Sequence, residues 1–190
     1  MSEDVFVYRI DTANIIVSVS DNWHSFAYDN AWDSGLQPES VVGYRLWDFI
    51  QDIETRHLYQ TILDRVRAGK RCRPIPFRCD SPAVRRFLEL QFKALPDGQI
   101  EITSRIIRTE ARNSVRLLDT DTPRSADILV ICSMCKKIRV SPDQWDEIEE
   151  GLIQLRLFEN DLMPSLSHGL CPVCFQVAMA ELDEFDTPNK

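Results

Sequence analysis

The sequence predicts an α+β protein: an antiparallel sheet with flanking helices, followed by a small helical module held together at four cysteines. Three observations predict it. Leu88, Leu90, Phe92 and Ala94 alternate with Glu89, Gln91 and Lys93, and beyond Pro96-Asp97-Gly98 the alternation resumes at Ile100, Ile102 and Ser104. That pattern is a two-stranded hairpin with one buried face. Leu58, Ile62, Leu63 and Val66 recur at helical spacing, and Gly69 closes the run. Cys132-Ser-Met-Cys135 and Cys171-Pro-Val-Cys174 repeat one C-x-x-C spacing, with 35 residues between the pairs.

The remaining elements follow in order. Val5–Ile10 and Ile15–Ser20 read as short strands around a turn at Asp11–Asn14, the second with Ile15, Val17 and Val19 on one face. Residues 117–127, LLDTDTPRSAD, are polar and aperiodic and read as a linker. This divides the chain into residues 1–116, the linker 117–127 and a module over 128–190. ILVIC, 128–132, is a β-rich lead into the first cysteine pair. Ser141-Pro142-Asp143-Gln144 reads as a helix start, with Ser as N-cap and Pro at the first helical position. Trp145, Ile148, Leu152 and Leu155 would form that helix's apolar face, and Phe175, Ala178, Met179 and Leu182 that of a second.

Composition narrows the function classes. The net charge is −8, and residues 127–190 hold five Lys/Arg against twelve Asp/Glu. Nucleic-acid affinity is largely electrostatic, so nucleic acid is not an expected partner, and a protein partner is. No apolar run reaches the roughly 18 residues of a membrane span, and the acidic start MSEDVFVYRID does not read as a secretory signal. No membrane association and a cytoplasmic, thiol-reducing home are therefore expected, where paired cysteines more often bind metal than form structural disulfides. No phosphate-binding loop or nucleophile elbow is present, and no histidine is followed by x-Glu as in zinc deaminases. An enzyme is not expected, and no catalytic residue is assigned.

Each C-x-x-C turn presents two sulfurs to one point. Four thiolates satisfy the tetrahedral preference of zinc, at about 2.3 Å per bond. Cys132, Cys135, Cys171 and Cys174 are thus the expected ligands of one zinc, with iron or a redox-active dithiol as the alternative. His168, three residues before Cys171, stands either as an alternative ligand or as a neighbour of the ligand loop. A closed four-sulfur site leaves no open position for water, which suits a structural ion that staples a module with a thin core. His24 and His57 lack any supporting motif for haem, and Trp23, Trp32 and Trp47 read as core.

Two resemblances add to this. The order strands, helices, strands, with WHSFAYDNA (23–31), PESVVGYRLWDFI (38–50), DIETRHLYQTILDRVRAG (52–69) and PFRCDSPAVRRFLEL (76–90), resembles a bacterial PAS domain over residues 5–110. CSMCKKIR, a Trp-bearing QWDEIEE and LSHGLCPVCF resemble a C-terminal cysteine module found on bacterial PAS, response-regulator and sensor-kinase proteins, over residues 128–176. This copy carries a longer apolar segment, LIQLRLFENDLMPSL, before the histidine. The resemblances imply a sensing or docking half whose ligand is unknown and whose sheets commonly pair into a homodimer, and a metal-binding module in a signalling context. With the four-cysteine reading this leads to the expectation of a non-enzymatic regulatory protein in signal transduction with a zinc-stapled helical module, the alternative being a redox- or metal-responsive thiol switch using the same cysteines.

Overall fold

A computed structural model describes residues 5–23 and 41–184. His24, Trp32, most of the segment 23–31 and residues 38–40 lie outside the described residues.

The first half, called the PAS-like half after the sequence resemblance, is an antiparallel sheet with flanking helices. β1 (Val5–Ile10) and β2 (Ile16–Val19) precede α1 (Leu46–Phe49) and α2 (Ile53–Arg67). Then come β3 (Ile75–Arg78), β4 (Val84–Ala94) and β5 (Ile100–Ala111). The strand order is β2-β1-β5-β4-β3. The expected hairpin is its longest feature, with Phe92 opposite Ile102 and Ala94 opposite Ile100. Asp97 and Gly98 take left-handed conformations, φ 65° and 75°, and let the chain reverse there. Leu88, Leu90, Ile100 and Ile102 are buried as the alternation requires. α2 begins at Asp52, whose carboxylate accepts the Thr55 amide at 2.8 Å. It ends before Gly69 at φ 74°, and lays Leu58, Ile62, Leu63 and Val66 on the sheet.

β2 departs from the expected facing. Ile16 is buried and Val17 is 41% exposed. Arg9 pairs with Ser18 and Ile10 with Ile16, so Val17 is an extra residue in the ladder, a bulge that turns it outward. Val19, opposite Tyr8, packs on the core as the alternation predicts. Ahead of the strand, Asn14 sits at φ 61° and Ile15 bridges Arg45.

The second half holds the two expected helices, but its frame is a sheet. β6 (Arg124–Cys132), β7 (Ile138–Ser141), β8 (Gln144–Asp146), α3 (Ile148–Gln154), β9 (Met163–Gly169) and α4 (Pro172–Glu184) follow one another. The strand order is β8-β7-β6-β9, with β6 and β9 parallel. The segment read as a linker is structured. Leu117 is fully buried, and the Arg124 guanidinium donates to the carbonyls of Leu117, Asp119 and Pro164, so β6 begins within that segment. The helix start read at Ser141–Gln144 is corrected. Ser141 pairs with Gln144 across a two-residue turn at Pro142-Asp143, and the helix begins at Ile148. Pro at the second position of a tight turn is as well suited as Pro at a helix start, and strand pairing with β7 decides between them.

Two cores result. One joins Leu58, Ile62 and Leu63 of α2 and Ile100 and Ile102 of β5 to Cys132, Cys171, Ala178 and Leu182, so it runs across both halves. The other packs Leu129, Ile131 and Ile138 of the second sheet against Ile148 and Leu152 of α3. Gly151 lets α3 lie this close: a Cβ there would stand 2.5 Å from Cδ1 of Ile138. In an exposed helix Gly→Ala stabilises by about 1 kcal/mol. Here the overlap, about 1–3 kcal/mol for an overpacked core, outweighs that gain. Gly151→Ala should lower stability by about 1–2 kcal/mol in urea unfolding of the metal-loaded chain, and a gain in stability would contradict the close approach.

Candidate metal centre and the adjoining cavity

The parallel pairing of β6 with β9 sets Cys132 opposite Gly169, so both strands deliver their cysteines to the same end of the sheet. A parallel pair needs a crossover of a dozen residues or more. The 30 residues from Ser133 to Leu162, holding β7, β8 and α3, are that crossover.

Each pair is shaped by its backbone. After Cys132 the chain folds back into β7: the Lys136 amide donates to the Cys132 carbonyl at 3.0 Å, and the Cys132 amide to the Lys137 carbonyl at 2.8 Å. Lys136 takes φ 62°, and its ammonium donates to the Ser133 carbonyl at 3.1 Å. The second pair sits at a helix start. Pro172 opens α4, and the Cys174 amide points at the Cys171 sulfur at 3.4 Å, so that sulfur takes the place of an N-cap oxygen. The partial positive charge of the helix N-terminus therefore lies at that sulfur. Two bonds join the half-sites: the Ser133 amide donates to the Gly169 carbonyl at 2.7 Å, and the Cys171 amide to the Cys132 sulfur at 3.4 Å.

The four sulfurs all lie within 4.8 Å of one another. No disulfide joins them, and Cys135 and Cys171 are 3.8 Å apart. A regular tetrahedron of 2.3 Å bonds has edges of about 3.8 Å, so the set fits a four-sulfur zinc site. Cys132 and Cys171 are buried, Cys135 and Cys174 half-buried. Hydrogen bonds from the Cys135 and Cys174 thiols pull the Cys132 pKa down. Cys135, hydrogen-bonded to Cys132, is pushed up to about 12, and Cys174, hydrogen-bonded to both, is pushed up as well. The four sulfurs thus share protons through their mutual hydrogen bonds, and a bound dication would take all four as thiolates with loss of those protons.

His168 is not a member of the cluster among the described residues. It stands on β9 opposite Ile131 and lines a neighbouring cavity. The residue is exposed, yet the protein displaces enough water from its ring, with the charge of Lys136 adding to this, to push its pKa down to about 4. His57 is exposed and its ring lies 6.3 Å from that of Phe175, with no other candidate ligand grouped around it among the described residues.

Sequence reasoning missed Arg78. At the end of β3, the edge strand of the first sheet, its amide donates to the Met134 carbonyl at 2.7 Å. Its guanidinium donates to the Cys135 carbonyl at 2.9 Å and to Glu147 at 2.8 Å, and pairs with Asp80. Burial works against its charge, but Asp80 and Glu147 hold the proton more firmly than in water. The Asp80 side chain is fully buried, with Arg112 3.3 Å away as a second partner. Arg78 therefore binds the first cysteine loop to the edge of the PAS-like sheet. No motif marks it, because its partners lie 57 and 69 residues away in sequence.

Against that loop lies a cavity of about 450 Å³. Leu58, Ile62, Ile75 and Leu90 line its PAS-like side, and Ser133, Met134 and His168 its module side.

Removing one partner of a buried ion pair typically costs about 3–5 kcal/mol, and Arg112 keeps the loss near the lower bound. Arg78→Met should therefore cost about 3 kcal/mol in urea unfolding of the metal-loaded chain. Arg78→Met with Asp80→Asn should recover more than half of it. A loss under about 1 kcal/mol for the single change would contradict a structural tie at this position.

No family profile and no curated protein matches the chain. Solved structures do. A domain of an HTR-like protein from Haloarcula marismortui matches at 15% identity over 55% of this chain and 98% of its own, with a TM-score of 0.33. The photoactive yellow protein domain of the sensor histidine kinase Ppr from Rhodospirillum centenum matches at 20% identity over 54% of this chain and 91% of its own, with a TM-score of 0.37.

Proposed function

We propose that this is a non-enzymatic, cytoplasmic regulatory protein of bacterial signal transduction, in which a PAS-like half senses or docks and one zinc ion staples the C-terminal module. The observation that carries the metal assignment is the four-sulfur set, within 4.8 Å and with no disulfide. Zinc supplies no redox chemistry there, only the link between two strand ends. The role of Cys132, Cys135, Cys171 and Cys174 is to hold it, and that of the Cys171 amide and the α4 N-terminus to stabilise sulfur charge. The absence of a water position in a closed four-ligand sphere argues against a catalytic metal.

A signalling role rests on the PAS-like architecture and on the resemblance of the module to those of sensor proteins. A protein partner is supported by the segment that distinguishes this copy, in which Phe158 is 63% and Leu162 47% exposed. No described helix is long and apolar enough to cross a membrane.

Elemental analysis with a thiol titration tests the reading. The purified protein should be colourless, hold one zinc per chain and show no reactive thiol at the four positions until a chelator is added. Iron with visible absorption, or four freely titrating thiols that close reversibly into disulfides, would favour the alternative of a redox switch. Metal binding supplies on the order of 10 kcal/mol to small zinc-dependent folds. Cys171→Ser should accordingly lose the zinc and the hydrogen-exchange protection of β6 and β9, and retention of both would sink the staple.

A further inference from the structure

The cavity beside the first cysteine loop has two unlike sides. Leu58 and Ile62 of α2, Ile75 and Phe77 of β3, and Leu90 and Phe92 of β4 make one apolar side, with Tyr59 set edge-on to Phe92 at 6.0 Å between ring centroids. The opposite side belongs to the cysteine module. Ser133 and Met134, the two residues between the ligands Cys132 and Cys135, form part of it, and Ser167 and His168 of β9 continue it. At one end stands Asp52. Its Oδ2 accepts the Thr55 amide at 2.8 Å and the Thr55 hydroxyl at 2.7 Å. Its Oδ1 accepts no described hydrogen bond and faces the foot of β9, where a Cβ on Gly169 would stand 3.5 Å away.

We infer that this junction cavity binds a small aromatic amphiphile with an uncharged or cationic, hydrogen-donating head, and that its occupancy is linked to the metal through Ser133 and Met134. The size and apolar side suit an aromatic body. Asp52 selects the head: a free carboxylate oxygen attracts a donor or a cation and repels an anion. The link is mechanical. The Ser133 amide is bound to the Gly169 carbonyl and the Met134 carbonyl to the Arg78 amide, so a ligand pressing on this wall presses on a short loop fixed at both ends by metal-binding sulfurs. A ligand that favours one loop geometry must change metal affinity, and the metal must change ligand affinity by the same factor. This inference rests on the metal reading above, and its test separates the two.

The probe is N-phenyl-1-naphthylamine, a neutral aromatic amine that fluoresces in apolar surroundings, titrated into the cobalt-substituted full chain. Cobalt in a four-sulfur site reports its geometry through visible bands. Saturable fluorescence should rise together with a shift in those bands, and saturating probe should strengthen retention of cobalt against a competing chelator by at least about fivefold. The anionic analogue bearing a sulfonate should bind about tenfold more weakly, and Asp52→Asn, which still caps α2, should narrow that gap. Ser167→Trp, at the exposed rim, should abolish the fluorescence rise and keep the cobalt spectrum.

Probe binding with unmoved bands and unchanged cobalt retention overturns the link. No binding to a chain that shows the four-sulfur spectrum overturns the site and leaves the metal reading intact. Binding that survives Ser167→Trp places the probe elsewhere and overturns the site as well. Failure to form a four-sulfur cobalt spectrum defeats the metal reading and the link with it.

Discussion

The rest of the molecule depends on the parallel pairing of β6 with β9. It alone brings Cys132 and Cys171 to one end of one sheet, across a connection that also carries β7, β8 and α3. A parallel pair is slow to form from sequence-distant segments, because loop-closure entropy must be met before the contacts reward it. Metal binding at the strand ends would offset that cost where the two segments meet. The hydrogen bonds between Ser133 and Gly169 and between Cys171 and the Cys132 sulfur continue the ladder into the site and join the sheet directly to the cysteine cluster.

The two halves of the chain are interlocked rather than strung together. Cys132, Cys171, Ala178 and Leu182 share a core with α2 and β5 of the PAS-like half. Arg78 adds a polar tie at the edge of the first sheet, where an uncovered strand would expose unpaired amides. A change in the PAS-like half thus has two physical routes to the cysteine cluster: packing through α2 and α4, and the hydrogen bonds of Arg78. The first ends at Cys171 and Cys174, at the start of α4, and the second at residues 133–135.

Much of the PAS-like half was legible because its signals are local. The β4–β5 hairpin has strict alternation and a Pro-Asp-Gly turn, and α2 has an Asp cap, a periodic face and a terminal Gly. The four-cysteine cluster was legible because matched spacings leave few other readings. What failed depends on partners far away in sequence. Val17 turned outward because β2 bulges there against β1, between the pairs Arg9–Ser18 and Ile10–Ile16. Ser141–Gln144 was misread because a Pro turn and a Pro-started helix look alike until β7 supplies a strand to pair with. The linker reading of 117–127 failed because Leu117 and Arg124 find their partners in the second half. Arg78 and the cavity wall at Met134 carried no signal at all, since their roles arise only when the halves meet.

The most direct test of a structural four-sulfur zinc is X-ray absorption at the zinc edge on the purified, untreated protein. The account predicts a single shell of four sulfur scatterers at about 2.3 Å, with no lighter atom in it. A nitrogen scatterer at about 2.0–2.1 Å, placing His168 or another imidazole on the metal, or an oxygen from a bound water, would contradict it.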